Sequence, residues 1–74
     1  MSKLPALTAK AVLAALLKAG FEKRHAKGSH IALVHPLTKR RTLVAMHARE
    51  LHRGALKEIL KQAGLTDDEF RGLL

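Results

Sequence analysis

The segment Lys27-Gly28-Ser29-His30 sets a cation, a flexible glycine and a hydroxyl directly before a histidine, and Arg24 stands three residues upstream of Lys27. Gly28 lets the backbone come close to a ligand, and Ser29 can donate or accept a hydrogen bond. Cations close to His30 disfavour a further positive charge on its ring and favour the neutral, proton-accepting form. A neutral imidazole beside phosphate-binding cations is what RNA cleavage requires. The ribose 2′-hydroxyl would lose its proton to His30 and attack the adjacent phosphorus, while Lys27 and Arg24 stabilise the charge that develops. DNA lacks that hydroxyl and is not expected to react.

Four further histidines, His25, His35, His47 and His52, raise the question of metal. No pair has the i, i+4 helical spacing of a zinc protease, and with no cysteine there is no thiolate to complete a site. Neither metal nor cofactor is expected. His25, His35 and His52 read as surface or strand-end residues. Lys39-Arg40-Arg41 is either a solvated turn or a contact for a nucleic-acid backbone, with Arg41 the candidate because it opens a strand. Gly54 reads as the start of a second helix, a position where helix N-termini also bind phosphate.

These residues need a scaffold, and the hydrophobic periodicity supplies one. Over Thr8–Ala19 the residues Ala9, Val12, Leu13, Leu16 and Leu17 recur at spacings of three and four, predicting an amphipathic helix with Thr8 as N-cap. Lys18-Ala19-Gly20-Phe21 then provides a positive last turn, a glycine for the left-handed conformation and an apolar residue folding back. Lys61-Gln62-Ala63-Gly64-Leu65 repeats the device after the stripe Leu56, Ile59, Leu60 and Ala63, as shared capping chemistry and not as a duplication. Between the helices the period falls to two: an edge strand at Phe21–Ala26, a strand at Ser29–His35, a five-residue hairpin loop at Pro36–Arg40 and a strand at Arg41–Met46. Thr66-Asp67-Asp68-Glu69 has capping-box spacing before a last helical turn with Phe70, Leu73 and Leu74. The expected class is α+β, in the order α-β-β-β-α, with a three-stranded antiparallel sheet and the helices packed on one face. If Ile31 and Leu33 face the helices, His30 faces solvent. Arg41 and His47 share its face if Val44 points inward.

At 74 residues the chain is expected to form one domain over residues 1–74 with a small core and no deep cavity, so chemistry must occur on an open face. Phe21 and Phe70 are the only aromatics, which leaves aliphatic side chains to fill the interior. The absence of cysteine suits a reducing compartment. No apolar run approaches the roughly 18 residues of a membrane span, and no cleavage pattern follows Ala11–Leu17, so a cytoplasmic location without a signal peptide or membrane partner is expected. Fourteen Lys and Arg against six Asp and Glu give a formal charge of +8, which attracts phosphate polymers or an acidic protein.

Taken in order, Ala19-Gly20-Phe21, Arg24, Lys27-Gly28-Ser29-His30, His35-Pro36, Val44, Met46-His47, Arg49-Glu50-Leu51, Gly54, Leu56, Ile59 to Leu65 and Glu69-Phe70 resemble the HicA toxins, small mRNA interferases of type II toxin–antitoxin systems. The resemblance implies a fold like the double-stranded-RNA-binding domain, with His30 as the catalytic residue. It also implies a HicB-type antitoxin that covers the active face. Two positions depart from the family pattern: Ala45 stands where a proline is common, and Ala55 where a threonine is common. The first would loosen the end of the third strand near His47, and the second removes a capping hydroxyl from the second helix.

The expected function is thus a metal-independent endoribonuclease toxin acting on mRNA. His30 is its general base, Lys27 and Arg24 bind phosphate, Ser29 and Gly28 line the contact, and Arg41 and His47 are secondary candidates. A basic RNA-binding module without catalysis, and an adaptor whose basic face serves only a protein partner, are the alternatives.

Overall fold

A computed structural model describes residues 7–46 and 50–74. The elements are α1 (Ala9–Lys18), β1 (Glu22–Lys27), β2 (His30–Val34), β3 (Arg41–Ala45), α2 (Arg53–Ala63) and α3 (Asp67–Arg71). The strands form one antiparallel sheet in the order β1-β2-β3, which gives the α-β-β-β-α arrangement of an α+β fold.

Helix ends are where the local chemistry is plainest. Thr8 Oγ1 accepts from the Ala11 N–H at 3.1 Å, capping α1 as its position foretells. At the other end the Phe21 N–H donates to the Leu16 carbonyl and the Gly20 N–H to that of Leu17. This paired closure requires the left-handed φ of 102° at Gly20. Leu65 and Gly64 close α2 in the same way, onto Leu60 and Lys61, with Gly64 at φ 75°. Thr66 and Glu69 complete their reciprocal capping box at the start of α3.

The apolar stripes bury Ala9, Val12, Ala15 and Leu16 of α1 and Leu56, Ile59, Leu60 and Ala63 of α2 against Leu33 of β2 and Val44 of β3, with Phe21 and Phe70 filling the ends. Leu17, expected inside, is 41% exposed because it falls roughly a third of a turn from the centre of its stripe. Leu74 is likewise exposed, and Leu73 packs against the core. Thr42 is the buried polar residue among those described, and its hydroxyl donates to Gln62 Oε1 at 2.9 Å, tying β3 to α2. Leu51 donates its N–H to the Leu7 carbonyl at 2.8 Å, joining the segments that lead into α1 and α2.

The strand limits shift slightly from expectation for identifiable reasons. Phe21 is used by the α1 closure, so β1 starts at Glu22. Gly28 and Ser29 form a two-residue turn, so β2 starts at His30, opposite Lys27. The His35 N–H donates to the Arg40 carbonyl at 2.9 Å, which shortens the second hairpin loop to the four residues between them. β3 ends at Ala45, still paired with His30, and the Met46 N–H donates to the Ser29 carbonyl, so the strand end is held without the proline.

Both helices pack on β3, and all six residues of β1 are exposed along the sheet edge. Its charged side chains guard that edge against pairing with another chain.

A comparison of two glycines tests the turn geometry. A Cβ on Gly20 would lie 2.8 Å from His35 Nε2 in addition to its positive φ, whereas one on Gly28, at φ 61°, would meet nothing within 4 Å. Urea unfolding is expected to show Gly20→Ala losing about 2 kcal/mol or more and Gly28→Ala about 1 kcal/mol.

Candidate active site

Strand parity decides what the sheet offers to solvent. Leu33 and Thr42 pair across β2 and β3 and are buried, as is Val44 opposite Ile31, so these rows face the helices. The alternate rows lie on the open face. Nearest the first turn stand Lys27, His30 and Ala45; next come His25, Ala32 and Leu43; furthest away are Glu22, Val34 and Arg41. The conditional placement of His30 and Arg41 on the open face is therefore met, and both side chains are exposed.

A shallow concavity on this face is lined by His25, Lys27, His30, Ala32 and Leu43. Lys27 and His30 are direct cross-strand neighbours, a relation that brings Cβ atoms to about 5 Å. Leu43, 52% exposed, and Ala32 form an apolar floor. Arg24 and Arg41 line the adjoining depression, which shares His25 and Ala32 with the first. The Arg41 row lies four residues along β2 from the His30 row, roughly 13 Å at strand spacing. Arg24 occupies an irregularity in the β1 register, between the Lys23 and His25 pairs, and approaches Glu22 Oε1 at 3.5 Å with both side chains 57% exposed. An exposed pair of this kind holds weakly and leaves the guanidinium accessible.

Gly28 and Ser29 make the turn that joins β1 to β2. Gly28 has positive φ and Ser29 does not, the pattern of a type II′ hairpin, which matches strand twist. The glycine is demanded here by turn geometry, since the space beside it is open. His47 lies outside the described residues.

The remaining histidines divide cleanly. His35 Nδ1 accepts from the Leu37 and Thr38 N–H groups at 3.1 and 3.3 Å, so its proton sits on Nε2 and is donated to the Ala19 carbonyl at 3.2 Å. Its ring also meets Phe21 edge to face, with centroids 5.1 Å apart. His35 thus fastens the second hairpin to the end of α1. His52 is the N-cap of α2, its Nδ1 accepting from the Ala55 N–H at 3.3 Å. An imidazole supplies the cap that a threonine hydroxyl at position 55 would otherwise suggest, and Gly54, inside the first turn, lies beneath that ring. His25, by contrast, stands beside His30, and its place was overlooked in the sequence. Counting back two residues from Lys27 puts it on the same face once the two-residue turn is recognised.

Among the described residues no cluster of three or more His, Asp or Glu is placed to hold a metal ion. No helix among them is long and apolar enough to cross a membrane.

The family model for the HicA toxin of bacterial toxin-antitoxin systems matches residues 9–65, from the first residue of α1 to the closure of α2. The chain belongs to the HicA toxin family. A search of curated proteins finds no match. The HicA region spans all three strands and both principal helices, so the whole open face lies within it. A HicA toxin works within a toxin–antitoxin pair, which implies an antitoxin partner for this chain.

The division of the histidines has a measurable consequence. His35→Ala removes a half-buried anchor and is expected to lower stability by about 1–3 kcal/mol, while His25→Ala, on the exposed face, shifts it by less than about 0.5 kcal/mol, both read from denaturant midpoints.

Proposed function

We propose that this HicA-family toxin is an endoribonuclease, an mRNA interferase, in which His30 is the general base and a HicB-type antitoxin supplies the off state. The observation that carries this reading is the exposed His30 directly across the strand pair from Lys27, beside an apolar floor on the open face of the sheet.

In this reading His30 takes the proton of a ribose 2′-hydroxyl as that oxygen attacks the neighbouring phosphorus. Lys27 offsets the negative charge that accumulates on the non-bridging oxygens. Ser29 and Gly28, at the adjacent turn, give the strand a polar edge. Arg24 and Arg41, one depression further along, serve the phosphates of flanking nucleotides and not the reacting one. His47 is retained as a secondary contact on the strength of the sequence alone. The chemistry is assigned to side chains, without metal or cofactor.

Antitoxin control follows from the same surface. With +8 formal charge on the chain, an acidic partner gains association rate through steering, and one that covers the open face excludes RNA by occupancy.

The purified toxin is expected to cut single-stranded RNA in the presence of EDTA and to leave a copy with 2′-deoxyribose at every position intact. His30→Ala should reduce cleavage by about 100-fold or more with its fold retained by circular dichroism. Binding of both strands with cleavage of neither would replace this reading by that of a non-catalytic RNA-binding module. Lys27→Ala should weaken RNA binding and reduce the slope of log affinity against log salt by about one, as expected for a lost phosphate contact.

A further inference from the structure

Cleavage of a phosphodiester needs two proton transfers, and His30 accounts for one. From the structure we infer that His25 is the general acid that protonates the leaving 5′-oxygen, an inference that rests on the ribonuclease reading above. Three observations carry it. His25 and His30 line one concavity, together with Lys27. His25 pairs with Ala32, two residues along β2 from His30 on the same face. That diagonal relation sets the two residues about 7–8 Å apart, with their Cβ atoms somewhat closer, a spacing at which two rings can flank one phosphate. Two residues flank this diagonal, Lys27 on β1 and Ala32 on β2, and the single methyl of Ala32 leaves its side of the concavity low. The third observation is the irregular register immediately before His25, where Arg24 is the extra residue. Such bulges bend an edge strand and re-aim the side chains beside them.

The roles then fall to distinct groups. His30, neutral at the start, accepts the 2′-hydroxyl proton as the O2′–P bond forms. His25, starting as imidazolium, donates its proton to O5′ as the P–O5′ bond breaks. The products are a 2′,3′-cyclic phosphate and a 5′-hydroxyl, with no water or other reactant consumed. Each histidine ends in the other's starting protonation state, and exchange with solvent resets the pair. Lys27, between the two rings on β1, remains charged against the non-bridging oxygens. Of the described side chains lining the concavity, His25 is the second imidazole.

The test compares leaving groups. Two RNAs of one sequence are used, the second carrying sulfur in place of the 5′-bridging oxygen at a site the parent toxin cuts. Thiolate departs without a proton. His25→Ala and His25→Gln are expected to cut the ordinary RNA about 100-fold or more slowly and the sulfur-linked RNA within about threefold of the parent rate. His30→Ala should be slow on both, because the base is needed whatever leaves. Equal loss on both RNAs would make His25 a phosphate contact, and parental rates on both would make it a bystander; either result overturns the assignment while leaving His30 in place. A parent that cuts neither RNA would remove the ribonuclease reading itself, and the acid with it.

Discussion

Leu33 and Val44, sealed beneath the helices, set the parity of the sheet, and the face that could do chemistry depends on that burial. Because side chains alternate with a period of two, slipping β2 by one residue would send His30 inward and Leu33 outward, and slipping β3 would expose Val44. The cost of exposing two fully buried aliphatics holds the register. The Gly28-Ser29 turn then carries the same parity into β1, which has little contact with the helices and could not set it alone.

The four histidines among the described residues are sorted by what surrounds them. His35 and His52 are committed to backbone groups, one completing a helix C-terminus and a hairpin, the other starting α2. Their ring nitrogens are occupied in structure. His25 and His30 emerge on the open face, with Lys27 and Arg24 of β1 and Arg41 of β3 along the same two depressions. Histidine content as such therefore says little about metal or catalysis; the place of each ring in the fold says more.

The small size of the chain explains why its candidate site is a surface and not a cleft. Among the described residues α1 and α2 pack on one face of the sheet, chiefly on β3, and no element builds walls on the other. Specific contact with a ligand must come from charge and from the low relief of Ala32 and Leu43. The lysines and arginine that deter strand pairing along β1 also make that edge attractive to phosphate. In the proposed reading one set of residues guards the edge and meets phosphate, and an acidic antitoxin would meet the same field.

The element order, the helix caps at Thr8 and Thr66 and the two glycine closures were legible in the sequence, because each follows from local backbone chemistry or from a hydrophobic period, whereas the inward rows of β2 and β3 stood only as conditions until the register was known. The exposure of His30 followed from the same alternation, and the family from the order of its motifs. Other features needed the folded chain. His25 joined His30 only once a two-residue turn, disguised by a polar strand without hydrophobic alternation, fixed the β1 register. Arg24 and Arg41 proved to lie beside a neighbouring depression because distance along a strand, unlike side, depends on pairing. The anchoring roles of His35 and His52 arise from carbonyl and amide groups brought to them by α1 closure and loop conformation. Sequence alone determined which faces are apolar, since periodicity is a property of the chain; tertiary structure decided which polar groups meet, since those meetings join residues whose separation no local pattern records.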